Sequence, residues 1–272
     1  MHTCSTRITE QLCKKSIVDT QPGHASNRKP LPTKHRGHSP TLYDESYADA
    51  YESFYLHPWE KKHQLNVDNI LSILTTLSTG QRRWLDLCCG QAWHFSMIKD
   101  GVDNGLDDRI EKVGVDLSPA QLKRAALRNP TANFILADVL DVSLPQDKFG
   151  LVTSFWAAYC YLNSRDKIEI FLRRAIDWTN IGGTFYLEVL TGEDLMSFNR
   201  SPYAHQTGFQ VIPRTPDFRE WDFSDVGGQH HMTSPPIDFF VDIVSPFFST
   251  VEIKHDSGFM IHLVCIGRTE RR

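Results

Sequence analysis

The chain has 272 residues, of which 40% are apolar and 23% charged, and its net charge is -4. A chain of this size buries roughly 70–75% of its unfolded surface, so its core forms without disulfides or a structural metal. No apolar run reaches the roughly 18 residues of a spanning helix, and the acidic balance argues against broad binding to nucleic acid.

Residues 1–40 carry Arg7, Lys14, Lys15, Arg28, Lys29, Lys34 and Arg36 against Glu10 and Asp19, and they contain no Phe, Trp or Tyr. Such an arm cannot bury enough apolar surface to offset its ordering entropy, so it reads as a disordered basic extension. The same composition suits a mitochondrial transit peptide; a plain extension on a cytoplasmic protein is the preferred reading. The 6 cysteines include the adjacent Cys88 and Cys89 and form no C-x-x-C pair, which points to reduced thiols and no zinc finger.

Order is expected from Leu42. Tyr43, Tyr47, Tyr51, Phe54 and Tyr55 recur at steps of three and four, one face of a helix. After His57 and Pro58, residues 59–77 place Val67, Ile70, Leu71, Leu74 and Leu77 on one side of a second helix. Residues 84–87 and 113–116 read as short strands. Ser118, Pro119 and Gln121 then predict a helix start with a capping box. Strands follow at 133–137 and 149–155, a helix at 165–176 with Ile168, Phe171, Leu172 and Ala175 on one face, and a strand at 184–189 after Gly182 and Gly183. Strands alternating with helices at this spacing mean β-α-β units and a parallel sheet. Residues 191–235 break the rhythm with Pro, Gly and aromatics and read as an inserted lobe. A short helix at 236–244 and two closing strands at 249–255 and 259–267 complete the chain.

In an open parallel sheet the ligand lies at the carboxyl ends of the strands, where the strand order reverses. The residues just past the first four strands are therefore informative. They are the small-residue run 86–92, then Asp116, then Asp138, then Ser154, Phe155 and Trp156. Small residues let a ligand approach the backbone, and the next helix offers free N–H groups. An acid after the second strand suits both hydroxyls of a ribose. A dinucleotide is disfavoured because no G-x-G-x-x-G is present, and the P-loop pattern is absent.

Five features in order carry a resemblance: residues 86–92, with Cys89 and Gly90 at the loop centre; Asp116 in Gly114-Val115-Asp116-Leu117-Ser118; Ala137-Asp138-Val139; residues 149–155; and the strand after Gly182 and Gly183. Residues 84–189 resemble a class I S-adenosylmethionine-dependent methyltransferase. The sequence departs from that family's pattern where Cys88 and Ala92 stand at positions commonly glycine. The resemblance implies an α/β fold: a Rossmann-like, doubly wound, mostly parallel seven-stranded sheet. Residues 1–40 would be the extension and 41–272 the methyltransferase domain, with 41–80 as an N-terminal helical lid and 191–235 as a substrate-lobe insertion. It implies S-adenosyl-L-methionine as co-substrate, with Asp86, Cys88, Gly90 and the neighbouring loop at the methionine moiety, Asp116 at the ribose, Asp138 and Val139 at the adenine, Phe155 at the methionine amine, and Leu117 as a further cofactor contact. Asp86 also reads as a buried acid ordering its loop, Asp116 and Asp138 as caps, and Cys88 and Cys89 as small buried residues rather than nucleophiles.

The Asn/Asp-Pro-Pro-Tyr/Phe run of amino-methylases acting on bases or glutamine is missing after the fourth strand, and the paired-glutamate loop of arginine methylases is not visible. The remaining resemblance is to small-molecule N-methyltransferases of amino sugars and glycine. It implies a small-molecule acceptor, nitrogen ahead of oxygen, no nucleic acid or membrane partner, no metal, and a monomer or homodimer. Tyr43, Tyr51, Trp156, His205 and Trp221 are the expected substrate contacts, and His230, His231 and Tyr159 the expected catalytic side chains. His230 and His231 also read as exposed residues of a polar loop. A second reading, motivated by Cys88 and Ala92, is a catalytically silent binding or regulatory subunit.

Overall fold

Asp44 is the first residue described by the computed structural model, which covers residues 44–101, 109–207, 209–225, 228–255 and 259–270. The expected extension at 1–40, Tyr43 and the turn at 256–258 lie outside the described residues. Asp44 caps α1 (Glu45–Tyr51), its carboxylate accepting the Tyr47 N–H at 3.0 Å. The helix then widens into one π turn at Glu52–Leu56 and tightens into a 3-10 turn at His57–Trp59 before α2 (Glu60–Thr76). The expected apolar side of α2 is buried through Val67, Ile70 and Leu74, but Lys62, His63 and Asn66 are buried with it.

The core alternates as expected: β1 (Arg83–Leu87), α3 (Trp93–Gly101), β2 (Glu111–Asp116), α4 (Pro119–Arg128), β3 (Asn133–Leu136), β4 (Phe149–Ser154), α5 (Arg165–Trp178) and β5 (Thr179–Val189). Ser118 caps α4 through its hydroxyl and Pro119 opens it. The 191–235 lobe holds α6 (Gly192–Phe198), α7 (Pro202–Thr207) and an antiparallel sheet of β6 (Val211–Pro213), β7 (Glu220–Asp225) and β8 (Gly228–Thr233). Helix α8 (Ile237–Val244) leads to β9 (Phe248–His255) and β10 (Ile261–Arg268).

The main sheet has the order β3-β2-β1-β4-β5-β10-β9. The pairs among β1 to β5 are parallel, and β10 runs antiparallel to both β5 and β9. Strand order reverses between β1 and β4, which puts the crevice at their carboxyl ends. Period-two alternation divides the core between the faces. Leu85, Leu87 and Val152 pack with α5 and α8, whereas Trp84 and Leu151 pack with α2 and α3. No helix among the described residues is long and apolar enough to cross a membrane.

The fifth strand starts five residues before the sequence pattern suggests, because Gly182 and Gly183 sit inside it rather than ahead of it. Gly150 on β4 serves a close approach: a Cβ there would lie 2.0 Å from the backbone oxygen of Gln81. Backbone cannot yield as a side-chain tip can, so Gly150→Ala should cost about 3 kcal/mol or more. Urea unfolding measures it, and a variant within about 0.5 kcal/mol of the parent would contradict the packing.

Candidate active site

A cavity of about 420 Å³ opens above the carboxyl ends of β1, β2 and β4. Its first wall is the loop after β1. Cys88, Gly90 and Ala92 take φ values of 57°, 51° and 51°, so every second residue is left-handed. Glycine adopts that backbone freely, whereas an L side chain costs about 1–2 kcal/mol. The turns are held from β2: Asp116 Oδ2 accepts the Gly90 N–H at 2.8 Å, and Asp116 Oδ1 accepts the Ser118 N–H at 2.9 Å. Gln91 Nε2 donates to the backbone oxygen of Ala48 at 2.9 Å, so α1 is seated on the same loop. Burial pushes the Cys88 and Cys89 thiols well above their ordinary range, so both are neutral rather than nucleophilic thiolates.

Asp86 is buried behind this loop, and its Oδ1 accepts the Thr153 hydroxyl at 2.7 Å. Desolvation raises its carboxyl to about 7, against the opposing hydrogen bond from Thr153. Burial raises Asp116 too, opposed by its backbone donors. Leu117 lies on the wall with 65% of its surface open. Val139 and Asp138 line the neighbouring stretch, and Asp138 Oδ1 accepts the Leu140 N–H at 2.8 Å. The expected capping box at Ser118 forms only by half: the Gln121 N–H reaches Ser118 Oγ at 3.2 Å, while Gln121 Oε1 is buried with no partner among the described residues. Tyr51 stands over Gly90, and burial raises its phenol.

After β4 the chain makes a second strained turn, with Trp156 at φ 57° and Ala157 at φ 47°. Glu188, buried at the end of β5, accepts the Trp156 N–H on Oε2 at 2.7 Å and pairs with Lys62 through Oε1 at 2.8 Å. Next to this turn sit two histidines, His63 of α2 and His94 of α3, with His63 Nδ1 3.1 Å from His94 Nε2. His63 Nε2 faces the Tyr55 carbonyl at 3.1 Å and must donate to it, which leaves Nδ1 as acceptor for His94 Nε2–H and for Trp156 Nε1–H at 3.4 Å. His94 Nδ1 then carries a lone pair. Burial lowers both imidazoles, His94 the further, so both are neutral at pH 7.

The remaining walls are aromatic, with Phe198, Phe209, Trp221 and Phe223 from the lobe and Trp59 from the turn before α2. Of the residues singled out by sequence, Asp86, Cys88, Gly90, Asp116, Leu117, Asp138, Val139, Phe155, Tyr51, Trp156 and Trp221 all line the cavity. Four others do not, and Tyr43 is outside the described residues. The two adjacent histidines are not in a loop: they lie on β8, where alternation sends their side chains to opposite faces. His230 is buried and stacks on Phe223 at 4.4 Å, one layer behind the wall, and His231 pairs through Nδ1 with Asp222 at 2.9 Å. Tyr159 is buried against Phe240, its hydroxyl accepting the Leu190 N–H at 3.1 Å. His205 is exposed on α7. Sequence reasoning missed His63, His94, Lys62 and Glu188. The available signal was the polar trio Lys62, His63 and Asn66 on the side of α2 that also carries Val67 and Ile70.

Residues 85–183 match the family model described as "Methyltransferase domain". No curated protein sequence matches the chain. Among solved structures, a protein from Pyrococcus horikoshii OT3 is 16% identical with a TM-score of 0.59, covering 82% of this chain and 99% of its own. An S-adenosylmethionine-dependent methyltransferase from Clostridium acetobutylicum is 13% identical, with a TM-score of 0.54 and coverage of 82% and 98%. An amino pentose methyltransferase from Micromonospora echinaspora, solved with S-adenosylmethionine bound, is 16% identical, with a TM-score of 0.51 and coverage of 87% and 100%. At these identities the likeness is one of fold.

Asp86 yields a pH prediction. Its proton is held up to about pH 7 in the folded chain and is lost near pH 3.9 in the unfolded one. Its contribution is therefore complete below about pH 4 and disappears as pH rises to about 7. The stability difference between the parent and Asp86→Asn should shift against the parent across that window. A difference that stays flat in urea titrations from pH 4 to 7 would contradict the assignment.

Proposed function

We propose that this chain, a methyltransferase of the class I S-adenosylmethionine-dependent family, transfers the donor's methyl group to the nitrogen of a small molecule. The observation that carries the reading is the acidic, partly desolvated strand-end site: Asp86, Asp116 and Asp138 line one side of a cavity whose loop backbone is left-handed at alternate positions. Buried carboxylates of raised pKa regain their charge beside a cation, so Asp86 suits the ammonium or sulfonium end of the donor. Asp116 has both oxygens on backbone donors and keeps lone pairs for ribose hydroxyls. The open face of Leu117 and the orphaned Gln121 Oε1 fit the flat face and a polar edge of an adenosine.

When bound, the donor supplies a methyl carbon on a positively charged sulfur. Transfer forms the N–C bond and breaks the S–C bond, with the electron pair staying on sulfur. Alignment and exclusion of water supply most of the acceleration. The nitrogen must then release a proton, and His94, a neutral imidazole among the residues lining the cavity and hydrogen-bonded to His63, is placed to take it. A weak base of this kind suffices for an amine, whose lone pair attacks before its proton becomes acidic, whereas a hydroxyl demands a stronger one. The fold likeness to an amino pentose methyltransferase points the same way.

Calorimetry with S-adenosylhomocysteine tests the donor site. The full chain should bind it, and Asp116→Ala should weaken binding about tenfold or more, since each charge-assisted bond is worth about 1.5–3 kcal/mol. Because Asp116 also holds Gly90, the variant should lose stability as well. Unchanged affinity in the variant would move the ribose elsewhere, and a parent chain that binds neither donor nor product would refute the reading.

A further inference from the structure

The aromatic half of the cavity carries a chemistry that an amino sugar does not match. Trp59 is its centre: Phe198 lies nearly parallel to it at 6.5 Å and 18°, Phe259 at 6.1 Å and 30°, and Trp156 meets it edge-on at 5.7 Å. Deeper in the lobe, Phe209 and Trp221 both stack on Phe223, at 5.0 Å and 5.7 Å. The polar atoms of these rings and their neighbour Tyr203 are largely engaged within the protein. Tyr203 Oη donates to the Phe54 carbonyl at 2.8 Å, Trp221 Nε1 to Ser234 Oγ at 2.9 Å, and Trp156 Nε1 to His63 Nδ1. The wall carboxylates Asp86, Asp116 and Asp138 all belong to the strand ends on the donor side.

A sugar placed among these rings would set hydroxyls against ring faces, with Tyr161 as the polar neighbour of Phe223, and each hydroxyl left unpaired costs about 1–3 kcal/mol. A flat apolar body gains instead from offset or edge-on contact with the rings. Trp156 joins the chamber to the histidine pair, for its ring lies 5.7 Å from Trp59 and 5.0 Å from His63. A flat group among the rings therefore carries a short side-chain nitrogen toward the strand ends. We infer that the methyl acceptor is a planar, apolar amine of the arylalkylamine class, its ring held by Trp59, Phe209 and Phe223 and its nitrogen beside His94. The inference rests on the proposed methyl transfer and narrows its substrate.

The test uses two probe amines, tryptamine and glucosamine, titrated into the full chain with and without saturating S-adenosylhomocysteine and followed by calorimetry. Tryptamine should bind at least about tenfold more tightly than glucosamine, as two or more unpaired hydroxyls require. Trp59→Ala and Phe209→Leu should each weaken tryptamine at least about threefold while leaving S-adenosylhomocysteine affinity unchanged, which shows that the variants are folded. Glucosamine binding equal to or tighter than tryptamine, no measurable binding of either amine, or tryptamine affinity indifferent to both substitutions would overturn the chamber assignment. Failure of the donor reading looks different: the product does not bind, while the preference between the two amines still stands or falls by itself.

Discussion

A carboxylate at the end of one strand grips the loop leaving its neighbour, and the site depends on that grip being made twice. Asp116 on β2 holds the loop after β1 by the Gly90 N–H, and Glu188 on β5 holds the turn after β4 by the Trp156 N–H. Both loops contain left-handed residues, and four of the five are not glycine. Such a backbone persists only where surrounding bonds over-determine it. Charge-assisted bonds from carboxylate to backbone N–H, each worth about 1.5–3 kcal/mol, are of the size needed to offset about 1–2 kcal/mol per strained residue.

The Glu188 carboxylate extends the constraint from the sheet to the helical layer. Its ion pair with Lys62 has both partners buried, which makes it costly to break and ties the start of α2 to the end of β5. Because His63 is next to Lys62, the same attachment sets one imidazole of the pair at the cavity. The other, His94, arrives from α3 directly after the loop that follows β1. The post-strand turn and the histidine pair are thus positioned by one set of polar contacts around Glu188, Lys62 and His63, while the loop after β1 is held from β2 by Asp116.

The two halves of the cavity differ in kind. The strand ends present carboxylates and exposed backbone, which suit a charged, hydrogen-bonding donor. The other half presents stacked rings, from the lobe and from the turns at Trp59 and Trp156, whose polar atoms are mostly occupied, which suits a flat apolar guest. Fold by itself does not select an acceptor.

The sequence by itself determined the sheet and the acidic strand-end wall of the cavity. Period-two apolar strands, the Ser118–Pro119 helix start and acids just past successive strands are local signals, and Asp86, Asp116 and Asp138 fall on the cavity wall as their spacing implied. Local spacing also mapped the lobe as an interruption but misread its interior. A polar run at 228–233 looks like a loop until it pairs with β7, after which alternation separates His230 from His231 and removes both from the wall. Tyr159 and His205 failed for a similar reason, since only packing decides whether a polar side chain faces a cavity, a core or solvent. The histidine pair and the Lys62–Glu188 bond join residues 31 and 126 positions apart. No local pattern encodes such a distance; it exists only once α2, α3 and β5 have been brought to the same end of the sheet.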